Sequence, residues 1–84
     1  MNDFQIQTSK QLASHLRSLR KSLRLTQAQL GARLGIEQAR MAKIERNPGS
    51  ISVDQLIELL NALEVAVFIR LKAQTPANTK RTSW

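Results

Sequence analysis

The stretch QLGARLGIEQ, Gln29 to Gln38, constrains this chain more than any other. It places Gly31 and Gly35 four residues apart inside a pattern that is otherwise helical. Glycine inside a helix costs roughly 1 kcal/mol relative to alanine. Both glycines therefore need a reason. Leu30 and Leu34 before the turn, and Met41 and Ile44 after it, fall at helical spacing. Thr26 suits the N-cap of the first segment, and Gln29 three residues on completes a capping box. Two short helices joined by a tight, glycine-containing turn follow from this pattern. Gly35 supplies positive φ just past a helix end. Gly31 lies one turn earlier, where the helices approach closely and a side chain would collide with the second helix.

The remaining segments extend the helical reading. Leu12, Leu16, Leu19 and Leu23 recur at three- and four-residue spacing, one apolar stripe of a helix starting near Ser9. Ser9 or Thr8 suits its N-cap. The helix after Gly35 runs from about Glu37 to Arg46. Asn47 to Ser50, NPGS, is turn chemistry. Ser52 or Val53 opens a fourth helix through about Leu63, with Leu56, Ile57, Leu59, Leu60 and Leu63 apolar. The period then changes. In VAVFIRLK, Val65, Val67, Ile69 and Leu71 alternate with Ala66, Phe68, Arg70 and Lys72, which predicts a strand. A lone strand has no partner for its ladder. It is expected to pair with the same strand of a second copy. The competing reading is a last helical turn with an apolar extension. The domain organisation expected is an arm over residues 1–8, a folded domain over 9–72, and a small, polar, flexible tail over 73–84. That tail ends in Trp84, an unusual use of an anchoring side chain.

Charge narrows the function. The chain carries a net +7 over 84 residues. Residues 8–46 carry +7, residues 47–69 carry −3 and residues 70–84 carry +4. A basic half beside an acidic segment suits a polyanion-binding face, against the plainer reading of a solvated basic surface. Catalysis needs paired acid–base groups or an activated nucleophile. The single histidine, His15, lies beside the first apolar stripe and the acids are scattered. No catalytic residue, metal or cofactor is expected. No apolar run approaches the ~20 residues needed to span a membrane, and there is no signal pattern, so a cytoplasmic protein is the default. Phe4, Phe68 and Trp84 lie outside the paired helices, which leaves RNA no aromatic stacking platform.

At this point the residues form a recognisable pattern. LTQAQLGARLGIEQARMAKIE, Leu25 to Glu45, resembles the helix-turn-helix of the Cro/cI/Xre family. The match consists of Gln27 at the motif start, apolar Leu30, a small residue at 31, Gly35 at the turn, and apolar Met41 and Ile44. The resemblance covers about residues 12–63. It implies a mainly α, four- to five-helix domain whose second motif helix enters the major groove. The base-facing positions it implies are Gln38, Ala39, Arg40 and Lys43, with Glu37 at the rim. Gln pairs with adenine, Arg with guanine, and the Ala39 methyl meets a thymine methyl. Thr26, Gln27, Arg33 and Arg46 are the implied phosphate contacts. In phage repressors of this family an arginine of the first helix pairs with a glutamate closing the recognition helix. Arg20 and Glu45 occupy those positions, so a partly buried ion pair is expected. Two residues depart from the pattern. Gly31 stands where alanine is usual, and Glu37 where Ser, Thr or Lys is common. A carboxylate near phosphates is unfavourable unless it accepts from a cytosine amino group.

The last third carries a narrower resemblance. A helix, NALEVAVFIRLK, a polar tail and a terminal tryptophan look like HipB-type antitoxins, and NPGS and GIEQA resemble stretches of them too. The resemblance implies a homodimer held partly by intersubunit β-structure, operator DNA in front of its own operon, and a HipA-like serine/threonine kinase toxin as partner. Trp84 is then the expected partner anchor. The competing function is a stand-alone repressor of Xre or phage type.

Overall fold

The computed structural model describes residues 3–72. Four α-helices follow one another: α1 (Ser9–Ser22), α2 (Gln27–Leu34), α3 (Gln38–Arg46) and α4 (Val53–Ala62). A single 3-10 turn, Pro48–Ser50, links α3 to α4. The residues that start these helices are the expected types. Thr8 Oγ1 accepts from Gln11 N–H at 3.1 Å. Thr26 with Gln29, and Ser52 with Gln55, form reciprocal capping boxes. Helix α3 alone among the four described α-helices starts without such a bond: Glu37 occupies its N-cap and makes no side-chain cap.

Three helices end in one way. After α1, α2 and α4 a residue turns left-handed: Arg24 (φ 58°), Gly35 (φ 71°) and Glu64 (φ 63°). The next residue, Leu25, Ile36 or Val65, donates its N–H back to Arg20, Gly31 or Leu60. That six-to-one closure satisfies a terminal carbonyl, and the apolar residue folds back onto the helix. Leu25, Ile36 and Val65 all pack against the core.

The core joins all four helices. Leu16, Leu30, Met41, Ile44, Leu59 and Leu63 form one buried cluster. Each such side chain contributes roughly 1.5–3 kcal/mol relative to exposure. Leu12, Leu19, Leu23 and Leu34 surround it, so the expected stripes are the packed faces. Gly31 is buried against the turn. A Cβ there would lie 2.8 Å from the Ile36 carbonyl oxygen. The close approach is thus to the backbone of the turn rather than to the body of α3. A Cβ at Gly35 would meet nothing within 4 Å, so that position needs glycine for conformation alone.

Residues 65–72 form neither helix nor strand within this chain. The ladder expected at Val65, Val67, Ile69 and Leu71 is therefore not made by the chain with itself. Val65 packs on the core, whereas Val67, Ile69 and Leu71 stand exposed, Ile69 by 97%. The N-terminal arm lies along α1, where the Phe4 ring stacks on His15 with centroids 4.5 Å apart. Asp3 meets Arg70 at 2.8 Å, joining the two ends of the described chain. Trp84 and the tail expected over 73–84 lie outside the described residues.

Candidate nucleic-acid interface

Helix α3 divides its side chains by period. Met41, Ile44 and Glu45 point inward and are buried. Gln38, Ala39, Arg40 and Lys43 are all exposed, on the side opposite the core. Arg40, Lys43 and Ala39 line one open recess together with Gly35, Ile36 and Glu37. This is a basic, convex helix face with a notch at its N-terminal end. Its groups are those that read base edges: a bidentate guanidinium, an amide and a small methyl.

Beneath it lies the expected ion pair. Arg20 Nε donates to Glu45 Oε2 at 2.6 Å, and Arg20 Nη2 donates to Glu45 Oε1 at 3.1 Å. Arg20 Nη1 also donates to the Leu25 carbonyl at 2.8 Å. One guanidinium thus binds the end of α3 and the turn between α1 and α2. Both side chains are buried, more deeply than the partial burial expected. Burial alone would raise the Glu45 carboxyl. Hydrogen bonds from Arg20 and Gln27, with the charges of Arg20 and Arg17, outweigh it and hold the group below its ordinary value.

The network continues to the surface. Gln27 Nε2 donates to Glu45 Oε1 at 3.1 Å, and Gln38 Nε2 donates to Gln27 Oε1 at 2.9 Å. A buried carboxylate therefore orients one glutamine, and that glutamine orients the exposed one. Spacing alone did not reveal this, although two glutamines opening consecutive helices is the signal that could have.

The four expected phosphate groups do not stay together. Thr26 and Gln27 sit at the N-terminus of α2, in a shallow recess with Lys21, Arg24 and Gln38. The Thr26 oxygen accepts the cap bond from Gln29 N–H at 3.0 Å, which leaves its own proton to donate. Lys21 and Arg24 are basic residues of this recess that the sequence reading did not single out. The run of bases closing α1 was the available signal. Arg46 is exposed at the C-terminal end of α3. Arg33 parts from the group. Its Nη1 donates to the Ala62 carbonyl at 3.0 Å and lies 3.6 Å from Glu64. It ties α2 to the end of α4 and stands apart from Thr26 and Gln27. Among the described residues no group of His, Asp and Glu is placed to hold a metal ion. No described helix is long and apolar enough to cross a membrane.

Comparison with known proteins agrees with this geometry. The helix-turn-helix family matches residues 16–68. Antitoxin HipB of Escherichia coli O6:H1 is 32% identical over 68 residues, 80% of this chain and 72% of that protein. Antitoxin HipB of Escherichia coli K12 is 29% identical over 83 residues, 96% of this chain and 94% of that protein. Among solved structures, a HipB variant in complex with an O2 20mer superposes with a TM-score of 0.76 at 26% identity. It covers 86% of this chain and all of its own. A HipA-HipB-O2-O3 complex gives 0.75 at 25% identity, over 84% of this chain and all of that one. The chain belongs to the helix-turn-helix family and, within it, to the HipB antitoxins.

Proposed function

We propose that this chain is a sequence-specific DNA-binding antitoxin. It represses its own operon and binds and restrains a HipA-like serine/threonine kinase toxin. One observation carries the DNA half: Gln38, Ala39, Arg40 and Lys43 stand exposed on one helix, with Gln38 held from below by Gln27 and Glu45. The kinase half rests on similarity to proteins solved with HipA. The chain acts as a binding module in the cytoplasm rather than as a catalyst. Two copies pair through residues 65–71 and α4, which places their recognition helices ~34 Å apart in successive major grooves. Lys21, Arg24 and Arg46 neutralise phosphates, Thr26 and Gln27 hydrogen-bond to them, and α3 reads sequence.

The test is binding to the duplex upstream of its own operon and to random duplex. Arg40→Ala is expected to cost ~1–3 kcal/mol on the operator and little on random DNA. Arg46→Ala is expected to weaken both alike and to lower the salt slope by about 1. Equal loss on both duplexes for Arg40→Ala would overturn the register. Co-expression with the HipA-like kinase should yield a complex. A chain that binds the operator yet leaves the kinase alone would be a stand-alone repressor.

A further inference from the structure

We infer that Glu37 selects a cytosine in the operator, and so is a specificity-determining residue of the interface; the inference rests on the DNA-binding reading above. Position comes first. Glu37 directly precedes Gln38 at the N-terminal end of α3 and lines the same recess as Ala39, Arg40 and Lys43. That end of a recognition helix is the part that meets base edges.

The side chain is also unspent. It is exposed, it makes no cap hydrogen bond, and it joins no salt bridge among the described residues. Both things are costly. Glutamate is a poor N-cap beside the Thr26 and Ser52 caps of this same chain. A carboxylate on a basic face also repels phosphate. A fold that wanted only stability here would place Ser, Thr or Asp.

The chemistry then names the base. A carboxylate only accepts hydrogen bonds. In the major groove guanine and thymine present acceptors, which repel it. Adenine offers an amino group, but beside its N7 acceptor. Cytosine offers its N4 amino group with no acceptor on its own major-groove edge. Glu37 therefore binds one base and disfavours the rest, and its repulsion of phosphate weakens every site where that base is absent.

The test uses the full-length chain on a randomised duplex library, with bound duplexes sequenced for wild type, Glu37→Gln and Glu37→Thr. Wild type is expected to fix a C·G pair at one position of each half-site. Both variants should lose that preference and keep the positions read by Gln38 and Arg40. On single duplexes, replacing that pair should cost wild type roughly 5- to 150-fold and Glu37→Gln less than about 2-fold. Glu37→Thr gains a cap and should melt higher than wild type, which separates lost reading from lost folding. An unchanged consensus in Glu37→Gln overturns the inference alone. So does a variant that tightens on every duplex equally, since Glu37 would then merely repel. If wild type enriches no consensus, the DNA-binding reading fails, and this inference with it.

Discussion

Glu45 stands where desolvation and pairing oppose each other, and pairing wins. Its carboxyl is held below the ordinary value. A carboxyl whose folded value is depressed stabilises the fold fully above its unfolded value of about 4.3. That contribution is lost as pH falls through the folded value. Acid unfolding monitored by circular dichroism should therefore begin below about pH 4 and flatten in Glu45→Gln. At neutral pH, Glu45→Ala leaves Arg20 buried without its partner and is expected to cost ~3–5 kcal/mol, read by chemical denaturation. For a domain whose whole stability is of the order of 5–15 kcal/mol, that is a large share. An unchanged melting temperature would mean that the pair is not structural. The pair was legible in the sequence because the family resemblance marks both positions. The intramolecular contacts of Gln27 and Arg33 were not. Each was assigned outward from its place in the motif. Yet a long side chain takes whichever partner packing brings within reach, here Glu45 for Gln27 and the Ala62 carbonyl for Arg33.

At the scale of the element, the turn between α2 and α3 sets the aim of the recognition helix. Gly31→Ala regains about 1 kcal/mol of helix propensity. It also drives a methyl against the Ile36 carbonyl, an overpacking cost of ~1–3 kcal/mol. A net loss of up to about 2 kcal/mol is expected in denaturant unfolding. Operator affinity should fall further than that stability change alone implies, because the carbonyl that must move is two residues before Gln38. Gly35→Ala meets no atom and loses only its left-handed backbone, about 1–2 kcal/mol. Helix number, helix starts and the inward stripes were readable because cap chemistry and apolar period are local. Two of the three left-handed helix ends were not, since Arg24 and Glu64 lack the glycine that advertises one. The signal present was the apolar residue after each, Leu25 and Val65. It locks the end by packing rather than by backbone freedom.

For the whole molecule, the unfinished surface is the stretch from Val67 to Leu71. Val67, Phe68, Ile69 and Leu71 are each more than 60% exposed, and Ile57 of α4 adds to the apolar area. A second copy covering them is the arrangement proposed above. Ile69→Lys should shift the chain to monomer in sedimentation and weaken operator binding, as a two-site reader loses its second arm. A dimer that persists would place the interface elsewhere. The alternating pattern showed this surface in the sequence, but a ladder between two chains lies beyond what one chain can form. The hydrogen-bonded path from Arg20 through Glu45 and Gln27 to Gln38 has a consequence for how such systems diverge. Gln38 is oriented by Gln27, so altering it gives up that orientation while the buried bonds beneath remain. Glu37, Arg40 and Lys43 make no such bond among the described residues. A duplicated copy that must stop answering to its sister's operator has those positions to change first, and keeps Gln38 as the inherited word both operators still share.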